Sequence, residues 1–392
     1  MSTQNTSGQA TLVPHDTRVG NDVPVQTRSE RFASGNVEDY ENVTGREPEW
    51  KLSPVAKLAP LLEGELEGGR YEISTTSAEG FSASWVEPEL APRGVAGLPE
   101  DRAAANAWSS TSEVLVVEIS GEHTAPLRLG RSTLGSAPRA AHTIVRVRPN
   151  SHATLIMESA GDATLAENVE FDIQDGSSIQ VVCVQDWAPG AIQYSAHFAT
   201  VAKDASFTHI VVSVGGDVVI VNPSTQLVGS GAAGHLWGAY FADSTQHLEH
   251  RVYVHHQGPQ TLSRVTYKGA LHGKGARTVW VGDVLIGAEA VGTDSYEQNR
   301  NLVLSDGTRA DSIPNLEIKT GDIAGAGHAS ATGRFDDEQL FYLQSRGIEE
   351  LDARRLVVMG FLVDVVSKIN DPALVAELTD KFQQKLSHTV EV

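Results

Sequence analysis

Basic residues are scarce in this chain: 30 lysines and arginines stand against 50 aspartates and glutamates in 392 residues, a formal charge of −20. A surface of that sign repels nucleic acid and anionic lipid and argues against both as partners. Cysteine is scarcer still. The single Cys183 cannot form an intramolecular disulfide, and with no charged-then-apolar leader at the start of the sequence it points to the cytoplasm. In the run VVCVQ it fits a small buried hydrophobe on a strand. Hydrophobic runs are short, the longest being Leu356 to Val363. A bilayer needs about 20 consecutive apolar residues, so no membrane span is expected and the chain is expected to be soluble. A phosphate-binding loop is missing as well, because GALHGKGA at 269–276 has its glycines at the wrong separation and no Ser or Thr after Lys274. If ATP is used in this system, another subunit uses it.

What is present is an ordinary globular composition with 40% hydrophobic residues, enough for a real core. Residues 1–30 are polar and rich in Gly, Ser, Thr and Gln, the composition of a disordered tail. Residues 31–111 form a helical region and linker: GREPEW opens a turn before the apolar stretch Val55 to Leu62, and Pro88, Pro92 and Pro99 give 86–111 linker chemistry. Residues 112–333 are short β-branched runs broken by turn residues. Val169, Phe171 and Ile173 alternate with Glu170, Asp172 and Gln174, as a half-buried strand requires. Turn signals fall at Asn150, Asp175, Asp204, Gly231 and Gly258, roughly 25 to 29 residues apart, the range of a solenoid coil. A sandwich turns about every 8 to 12 residues. The degenerate repeat leaves solenoid and sandwich about equally supported on spacing alone.

Residues 334–392 switch to helical periodicity. Asp336 with Gln339 makes an N-terminal cap, and Arg346-Gly347 a C-terminal stop. A second helix is expected from about Glu349 to Ile369. Its run LVVMGFLVDVV is apolar almost all round and must be covered on more than one side. A third begins at Asp371-Pro372, with Leu374, Leu378, Phe382 and Leu386 on one stripe. That stripe predicts a helix docked on its own domain, while part of the helical terminus is free to serve as a docking surface.

Several separated segments carry a family signature: HHQGPQTLSRVTYKGAL at 255–271, QNRNLVLSD at 298–306, IPNLEI at 313–318 and DEQLFYLQSRGI at 337–348. In order and spacing they resemble the SufB/SufD scaffold family of SUF iron–sulfur cluster assembly, over residues 110–370. The resemblance implies a right-handed parallel β-helix core with helical regions at both ends, which decides between solenoid and sandwich. It also implies a non-catalytic scaffold subunit that pairs with SufB and docks the SufC ATPase. Two features resemble the SufD branch: GREPEW is similar to the segment near the start of SufD proteins, and Thr308 stands where SufB carries a cysteine. A chain holding a cluster on its own thiolates would need several, and here there is one. The cluster is therefore expected to form transiently at the interface with SufB, with none bound by this chain alone; self-pairing as a homodimer stays open when partners are absent.

His328, in AGAGHASATG, falls where SufD proteins carry a histidine facing SufB, which implies an iron ligand or proton carrier. Many relatives have a cysteine two residues earlier, where this chain has Ala326. SufC docking is implied for about 334–369, with Gln339, Phe341, Tyr342, Arg346, Gly347 and Phe361 as contact residues. The group His247, Glu249, His250, His255 and His256 invites a metal reading. On a strand 247 and 250 point to opposite faces, as do 255 and 256, so structural or surface roles are expected. Gln298, Asn299 and Asn301 suit coil-corner hydrogen bonds as well as ligation. Two rivals remain: the SufB branch, and a β-helix enzyme acting on acidic polysaccharide.

Overall fold

Left-handed backbone is rare except at Gly, Asn and Asp, and in this chain it recurs in a column. Asn150, Gly176, Asp204, Gly231, Gln260 and Gly292 all have φ between 52° and 73°. Each donates its N–H along the column to a carbonyl of the next coil: Asn150 to Asp175 (3.0 Å), Gly176 to Lys203 (2.9 Å), Asp204 to Ser230 (3.0 Å), Gly231 to Pro259 (3.1 Å). The turn signals in the sequence are this corner, seen once per coil.

The computed structural model describes residues 31–132, 134–334 and 337–389. The expected tail at 1–30 and the Asp336 cap lie outside the described residues. Among the described residues the strands form two sheets of nine, and from Val114–Ile119 onward consecutive strands alternate between them. One, sheet I, ends on Ile323–Gly333; the other, sheet II, ends on Arg309–Ile318. Neighbouring strands are parallel throughout, except that Phe81–Val86 lies antiparallel on Val114–Ile119, and Ser74–Thr75 on Leu127–Ser132. Stacked residues are separated by 28 positions at Gln193 and Leu165 and by 32 at Gln298 and Thr266. This is the expected parallel β-helix, and the parallel register excludes the sandwich.

Period-two alternation divides each strand between two environments. In Ile192–Val201, Ala199 and Val201 enter the lumen core between the sheets, while Tyr194, Ala196 and Phe198 face outward under helices. Two short helices cover sheet II: α1 (Val55–Leu62) and α2 (Arg102–Ser110). α2 corrects the linker expectation for 86–111. Ala103, Ala104, Ala105 and Ala107 are all buried, and Asp101 caps α2 by accepting from the Ala104 N–H at 2.9 Å. Alanines bring the helix close enough for Asn168 to donate to the Ala104 carbonyl at 2.9 Å.

Three helices follow the solenoid: α3 (Asp337–Ser345), α4 (Glu350–Val366) and α5 (Pro372–Thr389). Leu374, Leu378, Phe382 and Leu386 are buried with Val358, Leu362, Val365 and Val366 against Val182, Ile210, Val212 and Phe241 of sheet I. The α5 stripe therefore docks on its own domain. Asp371 caps α5, accepting from the Ala373 N–H at 3.0 Å, and pairs with Arg128 at 2.7 Å. α4 packs against sheet I, α5 and α3, as its apolar run requires, while Leu351 and Leu356 stay exposed. No helix among the described residues is long and apolar enough to cross a membrane.

Candidate functional site

The last coil of the solenoid has no strand beyond it among the described residues. Ile323–Gly333 pairs only with Thr293–Val303, and Arg309–Ile318 only with Arg277–Ile286. His328 sits at the middle of that outermost strand, registered beside Glu297, with its side chain 44% exposed. Gly325 and Gly327 flank it; a Cβ at Gly327 would meet the Tyr296 ring at 3.4 Å. The Nδ1 of His328 lies 3.8 Å from Glu297 Oε1, too far for a hydrogen bond.

Glu297 is the less ordinary of the pair. Its side chain is 1% exposed, and neither oxygen has a full hydrogen-bonding partner. Room for it comes from Gly282 on the opposite sheet, where a Cβ would sit 2.4 Å from Oε2 and 2.3 Å from the Trp280 ring. Burial first, and the Asp283 charge second, push its carboxyl up to about 8; the Asn315 backbone amide opposes this only weakly. At neutral pH the group is therefore mostly a neutral acid.

Behind this end the lumen carries a line of buried polar groups. Asn299 donates to the Tyr240 hydroxyl (2.8 Å) and the Tyr267 carbonyl (3.1 Å), Asn301 to Asn299 Oδ1 (2.7 Å), and Tyr240 to Asn301 Oδ1 (2.8 Å). These asparagines are mid-strand, not at coil corners, and Gln298 reaches Thr266 at 3.2 Å. Farther in, Arg131 grips Glu167 through two contacts of 2.7 Å, and Glu167 also accepts from Gln193 (2.8 Å) and Ser195 (2.9 Å). Thr308 is at a turn, donating to the Ser305 carbonyl at 3.1 Å.

The histidine group around 247–256 does not converge. His247 meets Glu249 at 2.8 Å on the outer face, whereas His250 points into the lumen against Ser213 (3.0 Å) and His256 bonds Thr261 and Ser263 (both 2.8 Å). Glu249 also pairs with Arg251 and accepts from Ser53 at 3.0 Å. It borders a cavity of about 550 Å³ on sheet II that also touches Asp101 and Tyr194. Sequence reasoning missed this cavity. Of its polar groups, Asp101 caps α2 and accepts from Tyr194 at 2.5 Å, while Asn222 Oδ1 is left without a partner.

On the helical terminus, Phe341 is 72% and Tyr342 56% exposed, neighbours on one turn of α3. Arg346 stacks over the Tyr342 ring at 4.9 Å, and Gly347 ends the helix with φ 84°. Gln339 is on α3, its side chain outside the described residues. Phe361 is half-buried under Lys268, 5.0 Å from its ring, and lines a cleft of about 500 Å³ with Arg300, Leu302, Arg334 and Leu356. The half-exposed His328 imidazole is a nitrogen donor at the open end. With Cys183 buried, this chain offers no thiolate there, so a cluster held at His328 needs sulfur ligands from elsewhere.

The raised Glu297 carboxyl has a measurable sign. A folded-state value near 8 against an ordinary 4.5 gives stability that is full below pH 4.5 and lost as pH rises through 8. Glu297→Gln should remove that decline, which is at most about 1.4 kcal/mol per pH unit. Urea unfolding of both proteins at pH 5, 6.5 and 8 checks it; identical slopes would mean an ionised carboxylate.

Comparison with known proteins agrees with this architecture. The family model "SUF system FeS cluster assembly, SufBD core domain" matches residues 131–361. An iron–sulfur cluster assembly SufBD family protein of Mycobacterium tuberculosis is 43% identical over 372 residues, 92% of this chain and 94% of the relative. One of Mycobacterium leprae is 42% identical over 380 residues, 94% and 97%. The iron–sulfur cluster assembly protein SufD of Escherichia coli is 26% identical over 349 residues, 84% and 77%. With the solenoid, the matched core and near full-length identity in agreement, the chain belongs to the SufBD family of the SUF iron–sulfur cluster assembly system.

Proposed function

We propose that this chain is the SufD-type scaffold subunit, pairing with a SufB-type partner across the open end of its solenoid. The observation that carries this reading is the placement of His328: a half-exposed imidazole in the middle of an outermost strand with no strand on its outer edge among the described residues. An added strand from a partner would satisfy the free backbone groups and bring foreign side chains over the ring. Thiolates come from the partner, the imidazole from this chain, and iron and sulfide are cargo that joins at the seam. The absence of any exposed thiol and the likeness to the E. coli SufD protein favour this branch over SufB. Membership of an assembly family removes the motive for a polysaccharide enzyme.

Phe341, Tyr342, Arg346 and the cleft beside Phe361 serve in this reading as the dock for the SufC ATPase, in the cytoplasm. Aromatic and arginine side chains are the usual anchors of such contacts. α4 packs on the strands Ala233–Asp243 and Leu262–His272, so force on the dock reaches the solenoid through rigid elements. ATP hydrolysis belongs to SufC, and this subunit transmits its motion to the seam.

Two experiments divide the claim. In the reconstituted complex, His328→Ala should lower cluster formation at least about tenfold, a loss of 1.4 kcal/mol or more, with the complex still co-eluting; unchanged cluster yield would discard the ligand role. Replacing Phe341 and Tyr342 together by Ala should weaken ATPase binding at least about tenfold, as for paired hot-spot aromatics, and leave SufB pairing intact. ATPase binding equal to wild type would remove the docking surface. Surface substitution is preferred to truncation, because deleting α5 would uncover Val182, Ile210 and Phe241.

A further inference from the structure

Cys183, His197 and His209 meet inside the lumen, on three different strands. Cys183 is on Ser178–Trp187 and His209 on Ser206–Ser213, adjacent in sheet I, while His197 faces them from Ile192–Val201 of sheet II. All three are buried. Cys183 Sγ is 3.6 Å from His209 Nε2, His197 Nδ1 is 3.0 Å from the same nitrogen, and the three donor atoms lie within 4.8 Å of one another. Five strand spacings of sheet I separate Cys183, and four separate His209, from the strand of His328, roughly 19 to 24 Å at about 4.8 Å each.

We propose that these three residues bind one divalent first-row transition ion of borderline softness, Zn²⁺ or Fe²⁺, at a site separate from His328 and independent of the SufD reading. Tetrahedral coordination with metal–nitrogen near 2.0 Å and metal–sulfur near 2.3 Å puts nitrogen donors about 3.3 Å apart and sulfur about 3.5 Å from nitrogen. The Cys183–His209 and His197–His209 separations need to shift by only a few tenths of an ångström, and the donor set of two imidazoles and one thiolate suits these ions.

The surroundings are arranged for ligation. His197 Nε2 is 2.8 Å from Ser195 Oγ, and Ser195 donates to Glu167 at 2.9 Å. With Ser195 passing its proton to the carboxylate, Nε2 carries hydrogen and Nδ1 keeps its lone pair for a metal. An outer carboxylate relayed to a ligating imidazole is the usual orienting device. Glu167 is itself fixed as an anion by Arg131. A cavity of about 20 Å³, bordered by Cys183, His197, Glu167, Arg131 and Gln185, is large enough for one water, which would supply a fourth ligand. In the empty state His209 Nε2–H donates to His197 Nδ1. On binding, His209 moves that proton to its Nδ1, Cys183 loses its thiol proton to solvent, and no oxidant or reductant is involved. Valine and leucine fill comparable lumen positions such as Val181, Val211 and Leu236. Two buried imidazoles and a thiol cost more than these apolar groups unless something binds them.

The test uses the full-length chain, stripped of metal, anaerobic, and titrated with Co²⁺ alone, both folded and during refolding from denaturant. One equivalent should bind with thiolate-to-cobalt charge-transfer absorption in the near ultraviolet and be displaced by Zn²⁺. Cys183→Ala should abolish the charge-transfer band, Ser195→Ala should weaken binding about tenfold, and His328→Ala should change neither. X-ray absorption of the zinc-loaded wild type should show one sulfur near 2.3 Å, which decides the matter even if Cys183→Ala fails to fold. No stoichiometric binding in either arm, a zinc shell without sulfur, or an undiminished cobalt band in Cys183→Ala would overturn the proposal.

Discussion

In a parallel solenoid the backbone N–H and C=O groups of each coil point along the axis, and only the coils above and below can satisfy them. That requirement leaves the two ends of the stack as its unresolved surfaces. At the amino end the chain supplies its own stop: Phe81–Val86 and Ser74–Thr75 run antiparallel on the first coils. At the carboxyl end no such strand lies on Arg309–Ile318 or Ile323–Gly333 among the described residues. An open edge of that length is a template for another chain, and the half-exposed imidazole at its centre is what makes the edge chemically interesting.

The helices close the faces and leave the end alone. α1 and α2 cover the outer side of sheet II, and α4 and α5 that of sheet I. Within the lumen, polarity is distributed unevenly along the axis. Polar islands lie at Glu167–His197–His209 and at Tyr240–Asn299–Asn301, and Glu297 shares the strand Thr293–Val303 with the two asparagines. Each island is tied by hydrogen bonds to more than one strand, so each fixes register as well as carrying polar groups. Glu297 is the exception: a buried acid with no strong partner in a space opened by Gly282, beside the half-exposed imidazole of His328.

The corner column was legible because left-handed backbone selects Asn, Asp and Gly, and these residues recur at the coil length. Asn150, Asp204 and Gly231 were identified directly, and Asp175 and Gly258 lie within two residues of the true corners Gly176 and Gln260. The α5 stripe was legible for a similar reason, one face and one period. α2 was not, since the prolines of 86–99 masked the short alanine-rich helix that follows, whose only plain signal was the Asp101 cap. The lumen was harder still. A polar residue at an inward position looks like one at an outward position in simple alternation, so Cys183 was taken for a hydrophobe, although His209 stands 3.6 Å away. Seeing that contact requires the register between strands offset by 28 residues, which a degenerate repeat does not disclose. His328 was found through family resemblance alone; the alternation around it carries no mark of function.

Amide hydrogen exchange offers the most direct measurement of the open end. In the isolated chain, N–H groups of residues 309–318 and 323–333 that no neighbouring strand accepts should exchange far faster than those of 206–213 in mid-stack. With a SufB-type partner bound, the terminal strands should gain protection to the level of the interior coils while 206–213 stays unchanged. Exchange at 323–333 that is already slow in the isolated chain, or that the partner leaves as it was, would contradict the account.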